Sequence, residues 1–168
     1  MRKAYLVAIA VMACAAAFAQ SIEDLDKKAG FKEFRIGDSL SVHEGKIKFT
    51  RTLDNADTKL YLVKELVSVK SYTGEVELEM YKGKIQEIVV SFKNATKPGF
   101  DDILKSLETL YGSSSKDKEK SKAFDRFDRL YSWTGQRIKL IIGYDENYKL
   151  TKLFYIENTS LEKLKEEF

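Results

Sequence analysis

Between Glu75 and Lys93 the chain reads EVELEMYKGKIQEIVVSFK, in which Val76, Leu78 and Met80 alternate with Glu75, Glu77 and Glu79. A period of two marks a strand with one dry face and one wet face. Ile88, Val90 and Phe92 alternate in the same way on the return. Directly opposed residues share a face, so the two apolar rows meet only if the loop holds an odd number of residues. A three-residue loop, Tyr81-Lys82-Gly83 with Gly83 in the left-handed conformation, satisfies this. That register sets Val76 opposite Ile88 and Glu77 opposite Glu87, a like-charge pair expected on an exposed outer face with Lys82 and Lys84 nearby.

The same patterns predict the other elements. Ser21 caps a short helix through Ala29 that Gly30 ends, and Phe31 to Ile36 reads as a strand closed by Gly37 and Asp38. An irregular segment runs to Gly45. Ile47 to Leu53 and Thr58 to Lys64 form a second hairpin across Asp54-Asn55-Ala56-Asp57, and Val67 with Val69 reads either as the start of another strand or as the approach to the glutamate-rich hairpin. Phe100, Ile103, Leu104, Leu107 and Leu110 fall on one face of the clearest helix, which Gly112 ends. Ser113 to Lys122 carries no apolar residue and reads as a solvated connector inside one domain. Arg129 to Thr134 and Arg137 to Tyr144 make the last strong hairpin; a Gly135-Gln136 turn sets Trp133 opposite Ile138 and Tyr131 opposite Leu140. With Leu130 and Ile141 on the other side, this pair is apolar on both faces and belongs near the sheet centre. Lys149 to Glu157 is a strand for which Leu153 and Tyr155 compete with Phe154 and Ile156 for the core, and Leu161, Leu164 and Phe168 mark a final helix after the Thr159/Glu162 capping box.

Residues 1–19 change the picture. Arg2 and Lys3, an apolar run from Ala4, and Ala17-Phe18-Ala19 before Gln20 form the pattern of an export signal, leaving residues 20–168 as a single domain. The sole cysteine, Cys14, lies in this leader, so the domain is expected to hold without disulfides. Without Arg2 and Lys3 the formal charge of +3 falls to about +1, which argues against nucleic-acid binding.

Candidate chemistry is sparse. One histidine without a cysteine in the domain argues against a zinc site, and Asp54, Asn55 and Asp57 lack the spacing of a helix-loop-helix calcium site. No cofactor motif is visible. Tyr131, Trp133 and Tyr155, with Tyr144, Tyr148 and Phe154 around them, either line a concave ligand surface or fill the core.

Three local resemblances bear on function. Val11-Met12-Ala13-Cys14 resembles the lipobox of bacterial lipoproteins, which implies acylation of Cys14 and a membrane tether as an alternative to cleavage after Ala19. Gly37-Asp38-Ser39-Leu40 resembles the signature of the GDSL serine esterases, which implies Ser39 as nucleophile; His43, four residues on, is the only base available. That family also needs a parallel α/β sheet, an oxyanion glycine and asparagine, and an Asp-x-x-His near the C-terminus. These are not visible here, so the tetrapeptide reads as a polar turn and the esterase stands as an alternative. More broadly, Phe34-x-x-Gly37, Tyr81-Lys82-Gly83-Lys84-Ile85, Tyr111-Gly112 and Tyr131-x-Trp133-x-Gly135 resemble small exported bacterial proteins of uncharacterised function. The helix-then-strands order at Ser21 and again at Phe100 is similar to β-lactamase-inhibitor-like and outer-membrane-assembly modules. The resemblance implies α+β architecture: an antiparallel meander sheet packed by one main amphipathic helix, with short N- and C-terminal helices. The function expected is non-enzymatic binding of an envelope protein or a small ligand after export.

Overall fold

The glutamate-rich hairpin forms two long strands inside one antiparallel sheet, seen in a computed structural model that describes residues 22–53, 56–116 and 124–158. These are β6 (Tyr72–Tyr81) and β7 (Lys84–Phe92). The loop differs from the expected one. Tyr81 pairs with Lys84, so only Lys82 and Gly83 turn the chain, both at positive φ (49° and 77°), which matches the twist of the flanking strands. A two-residue loop alone would put Leu78 opposite Glu87 and bury that carboxyl. A bulge at Gln86 restores the faces, giving Leu78 opposite Ile88 and Val76 opposite Val90, with Glu79 rather than Glu77 facing Glu87.

The sheet is built from two blocks. β3 (Ile47–Thr52) and β4 (Thr58–Val63) add to one side of β6, and β5 (Val67–Val69) pairs with the start of β6 on that same side. After helix α3 (Lys97–Tyr111) the chain returns through β8 (Ser115–Lys116), β9 (Arg129–Thr134), β10 (Ile138–Asp145) and β11 (Leu150–Glu157). The last strand closes the gap, lying between β7 and β10, so the order is β3-β4-β6-β7-β11-β10-β9-β8. A bulge between Phe49 and Arg51 puts Arg51 across from Leu60, on the face away from Phe49.

One face carries Val76, Leu78, Met80, Ile88, Val90, Phe92, Leu140, Ile142, Leu153 and Tyr155, all buried beneath α3 and the N-terminal segment. Helix α3 contributes Phe100, Ile103, Leu107 and Tyr111 to this core, while Leu110 stays half exposed. The competition within β11 is resolved by burying both rows. Ile156 and Phe154 join Leu130, Ile141, Phe124 and Phe127 in a smaller cluster on the opposite face, with the Phe127 ring lying over Gly143. The β9–β10 pair is therefore covered on both sides.

The N-terminal segment departs from its expected form. Helix α1 (residues 22–28) ends at Ala29, at φ 44°, rather than at Gly30. The single strand expected from Phe31 to Ile36 is instead a tight hairpin, β1 (Gly30–Phe31) with β2 (Phe34–Arg35), turning at Lys32. The irregular stretch before Gly45 contains a one-turn helix, α2 (Leu40–His43). The expected export signal with Cys14, the expected cap Ser21 and the helix expected at Leu161, Leu164 and Phe168 lie outside the described residues. No helix among the described residues is long and apolar enough to cross a membrane.

One carboxylate ties α1 to the sheet. Asp26 accepts backbone N–H bonds from Gln136 (2.6 Å), Arg137 (2.9 Å) and Ile138 (3.0 Å) at the β9–β10 turn. The turn wraps this carboxylate, which is why the expected pairs are displaced: Trp133 faces Leu140 and Tyr131 faces Ile142. Elsewhere, Thr151 Oγ1 is buried with no hydrogen-bond partner among the described residues.

Two stability changes follow. Asp26→Ala removes a charged acceptor from three donors and is expected to lower stability by about 2–3 kcal/mol in urea denaturation, against under ~0.5 kcal/mol for the exposed Asp24→Ala. Thr151→Val keeps the shape and deletes the orphaned hydroxyl, so it is expected to raise stability by about 1 kcal/mol; a loss would show that the hydroxyl has a partner.

Candidate functional site

The α1–β1–β2 segment and α3 both lie on the same face of the sheet, and they do not close completely. Between them runs a cleft of about 340 Å³. Its apolar wall is the face of α3 that carries Ile103, Leu107 and Leu110, continued by Phe31 and Val69. Leu153 and Tyr155 of β11 form the floor, with Tyr111 at the end of α3 beside them. The helical period thus supplies one side, because the i, i+4, i+7 positions that bury against the sheet also reach the gap.

The other side is cationic. Lys28 closes α1, Lys32 occupies the β1–β2 turn and Arg35 ends β2, and all three line the cleft. The Lys28 ammonium stands 5.5 Å from the centre of the Tyr111 ring, and that of Lys32 stands 6.0 Å from the Phe31 ring. Arg35 Nη1 donates to the carbonyls of Lys32 and Phe34, which holds the guanidinium in place. Among the described residues no carboxylate lines the cleft. Burial, and then the adjacent Tyr111 phenol, push the Tyr155 phenol well above its ordinary range. Tyr111 is also raised, by burial first, with partial offsets from the Tyr155 hydroxyl and the Arg35 charge. Both phenols therefore remain protonated, one O–H being used in the hydrogen bond between them and the other able to donate.

The residues singled out from sequence are distributed differently. Tyr155 reaches this cleft, whereas Trp133 is buried, its Nε1 donating to Gly112 O at 2.8 Å, and Tyr131 packs against Phe100. The three aromatics therefore do not share one open concave surface. His43 is buried against the Phe34 ring, its Nε2 2.9 Å from Asp38 Oδ2, and Ser39 Oγ lies 2.9 Å from Ser41 Oγ. The imidazole is thus engaged by Asp38 and the hydroxyl by Ser41, around α2, where Ser39 makes an isolated antiparallel bridge to Lys84 at the start of β7. Asp57 sits 3.9 Å from the Lys82 ammonium, and Asp54 and Asn55 lie outside the described residues. Among the described residues no group of three or more His, Cys, Asp or Glu side chains converges as a metal site.

Lys28, Lys32 and Arg35 were not singled out from sequence. The signal lies in KAGFKEFR, residues 28–35, where cations alternate with buried Ala29, Phe31 and Phe34. That spacing exposes the charges along one side of the segment. Their meeting with α3, more than sixty residues on, is a property of the tertiary fold.

No protein-family model, curated protein or solved structure matches this chain.

A second polar group lies on the opposite face of the sheet. Glu87 stands between Glu79 on β6 and Ile156 on β11, half-buried. Burial, then the charges of Glu79 and Glu77, push its carboxyl up to about 7, against a smaller pull from Lys152. Glu79 is raised too, by burial and then Glu77, while burial and repulsion from Arg126 lower Lys152. The outer face is thus less solvated than the alternation suggested.

The folded protein keeps the Glu87 proton up to about pH 7, whereas the ordinary carboxyl releases it near 4.5. Between those values the folded state binds more protons, so stability falls as pH rises through this window. Glu87→Gln is expected to raise stability at pH 8 by about 1–2 kcal/mol and to change it little at pH 4, as read by denaturation at the two pH values. An equal effect at both would contradict the assignment.

Proposed function

We propose that the protein is an exported, non-enzymatic binding domain whose working surface is the cleft between α3 and the β1–β2 hairpin. The observation that carries this reading is the lining: apolar side chains along α3, polar hydroxyls at the floor, and charge of a single sign at the rim. Pockets that bind small molecules share this build, largely apolar with a few convergent polar groups that set orientation. The alternative nucleophile–base pair is less favoured, since Ser39 Oγ is hydrogen-bonded to Ser41 and, among the described residues, no hydrogen bond joins it to His43. Export is supported by the charged and apolar pattern before Ala19. A small ligand is preferred over an envelope protein because the feature is a slot rather than a broad exposed patch.

A fragment cocktail titrated into isotope-labelled protein tests the location. Chemical-shift changes are expected to cluster at Lys32, Leu107 and Tyr155, and Ser106→Trp, which projects an indole into the cleft, is expected to abolish them. Shifts scattered over the surface, or persisting in the plugged variant, would move the working surface elsewhere.

A further inference from the structure

The cleft has two unlike sides, and their arrangement identifies what fills it. We infer that it takes a single-chain amphipathic anion of the medium-chain carboxylate class, its apolar body along α3 and its head among Lys28, Lys32 and Arg35. This rests on the reading of the cleft as the working surface.

The apolar side comes from one helix, so it runs as a strip rather than a round pocket. Ile103, Leu107 and Leu110 succeed one another along α3, and Leu110 is 49% exposed at the open end. A solvent-exposed leucine continuous with a buried strip leaves apolar area to be covered by a chain lying lengthwise. A compact polar ligand would leave that strip wet.

The cations come from the opposite side; Glu33 feels the Lys32 charge but pairs with Lys46, the Asp24 charge reaches Tyr111, and neither acid lines the cleft. Among the described residues none of Lys28, Lys32 and Arg35 forms an ion pair with a carboxylate, although Lys46 does so with Glu33 of the β1–β2 turn. Arg35 is half-buried and anchored through Nη1, which leaves Nη2 and Nε without a partner among the described residues. A planar guanidinium held in this way matches a carboxylate in a two-point contact. The lysines flank it with their ammonium groups over the Tyr111 and Phe31 rings, so their charges stand beside the apolar surface. The Tyr111 and Tyr155 hydroxyls are hydrogen-bonded to each other, which leaves one O–H of the pair to donate and adds no negative charge.

Charge sign therefore discriminates between amphiphiles of equal length. A cationic head meets three like charges, and a neutral head gains the apolar strip but not the guanidinium.

Calorimetric titration of the whole protein with decanoate, decanol, decyltrimethylammonium and acetate, each below its aggregation threshold, separates these terms. Decanoate is expected to bind at least about ten-fold more tightly than decanol, with decyltrimethylammonium and acetate weaker still. Lys28→Ala/Lys32→Ala, which alters exposed side chains only, and separately Arg35→Gln, are expected to weaken decanoate about ten-fold while leaving decanol unchanged. Decanol binding as tightly as decanoate, or a preference for decyltrimethylammonium, overturns the anion assignment and leaves the cleft a binding site. Fragment shifts in the cleft with no decyl compound bound overturn the amphiphile class alone. Absence of both overturns this inference together with the reading it rests on.

Discussion

Pairing between β7 and β11 is the contact on which the structure depends. It joins Ile88 to Tyr155, Val90 to Leu153 and Phe92 to Thr151, across a separation of more than fifty residues. Without it the chain would be two smaller sheets, each with an unpaired edge and half a hydrophobic face. With it, Leu153 and Tyr155 come to lie under α3 and form the floor of the cleft. The gap between α3 and the β1–β2 hairpin is thus a consequence of how the two blocks meet. A wide sheet has more apolar face than one fifteen-residue helix covers, and the N-terminal segment fills part of the remainder.

Polar groups fix how that segment sits. The Asp26 carboxylate in the β9–β10 turn holds α1 against the far block, and the Asp38–His43 contact braces the segment after β2. Trp133 joins β9 to the end of α3 through the Gly112 carbonyl. Buried donors and acceptors of this kind are costly when unpaired, so each pairing selects one packing over its near alternatives. The rim of the cleft inherits its geometry from them, since Lys28, Lys32 and Arg35 lie on the stretch between Asp26 and Asp38.

Much of this architecture was legible in local pattern. The alternation of Val76, Leu78 and Met80 with glutamates, and the helical spacing from Phe100 to Leu110, determine which side of each element is dry. Parity was legible as well: the rows of β6 and β7 do share a face, although a bulge at Gln86 rather than a third loop residue achieves it. Register was not legible wherever a distant group intervened. The Gly135 turn is widened by Asp26, more than a hundred residues earlier, and no local signal announces that. The hairpin between Phe31 and Phe34 escaped because both phenylalanines fit either one strand or two short ones. The cleft is a property of strand order, which periodicity does not encode.

Two blocks joined through the β7–β11 ladder should unfold as one cooperative body. Trp133, the only tryptophan, reports on β9 in the second block, and amide exchange along β6 and β7 reports on the first. Urea unfolding followed by Trp133 emission and by β6–β7 amide protection should give coincident transitions with the same midpoint. A first transition that exposes Trp133 while β6 and β7 stay protected would show that the β7–β11 ladder does not hold the halves together.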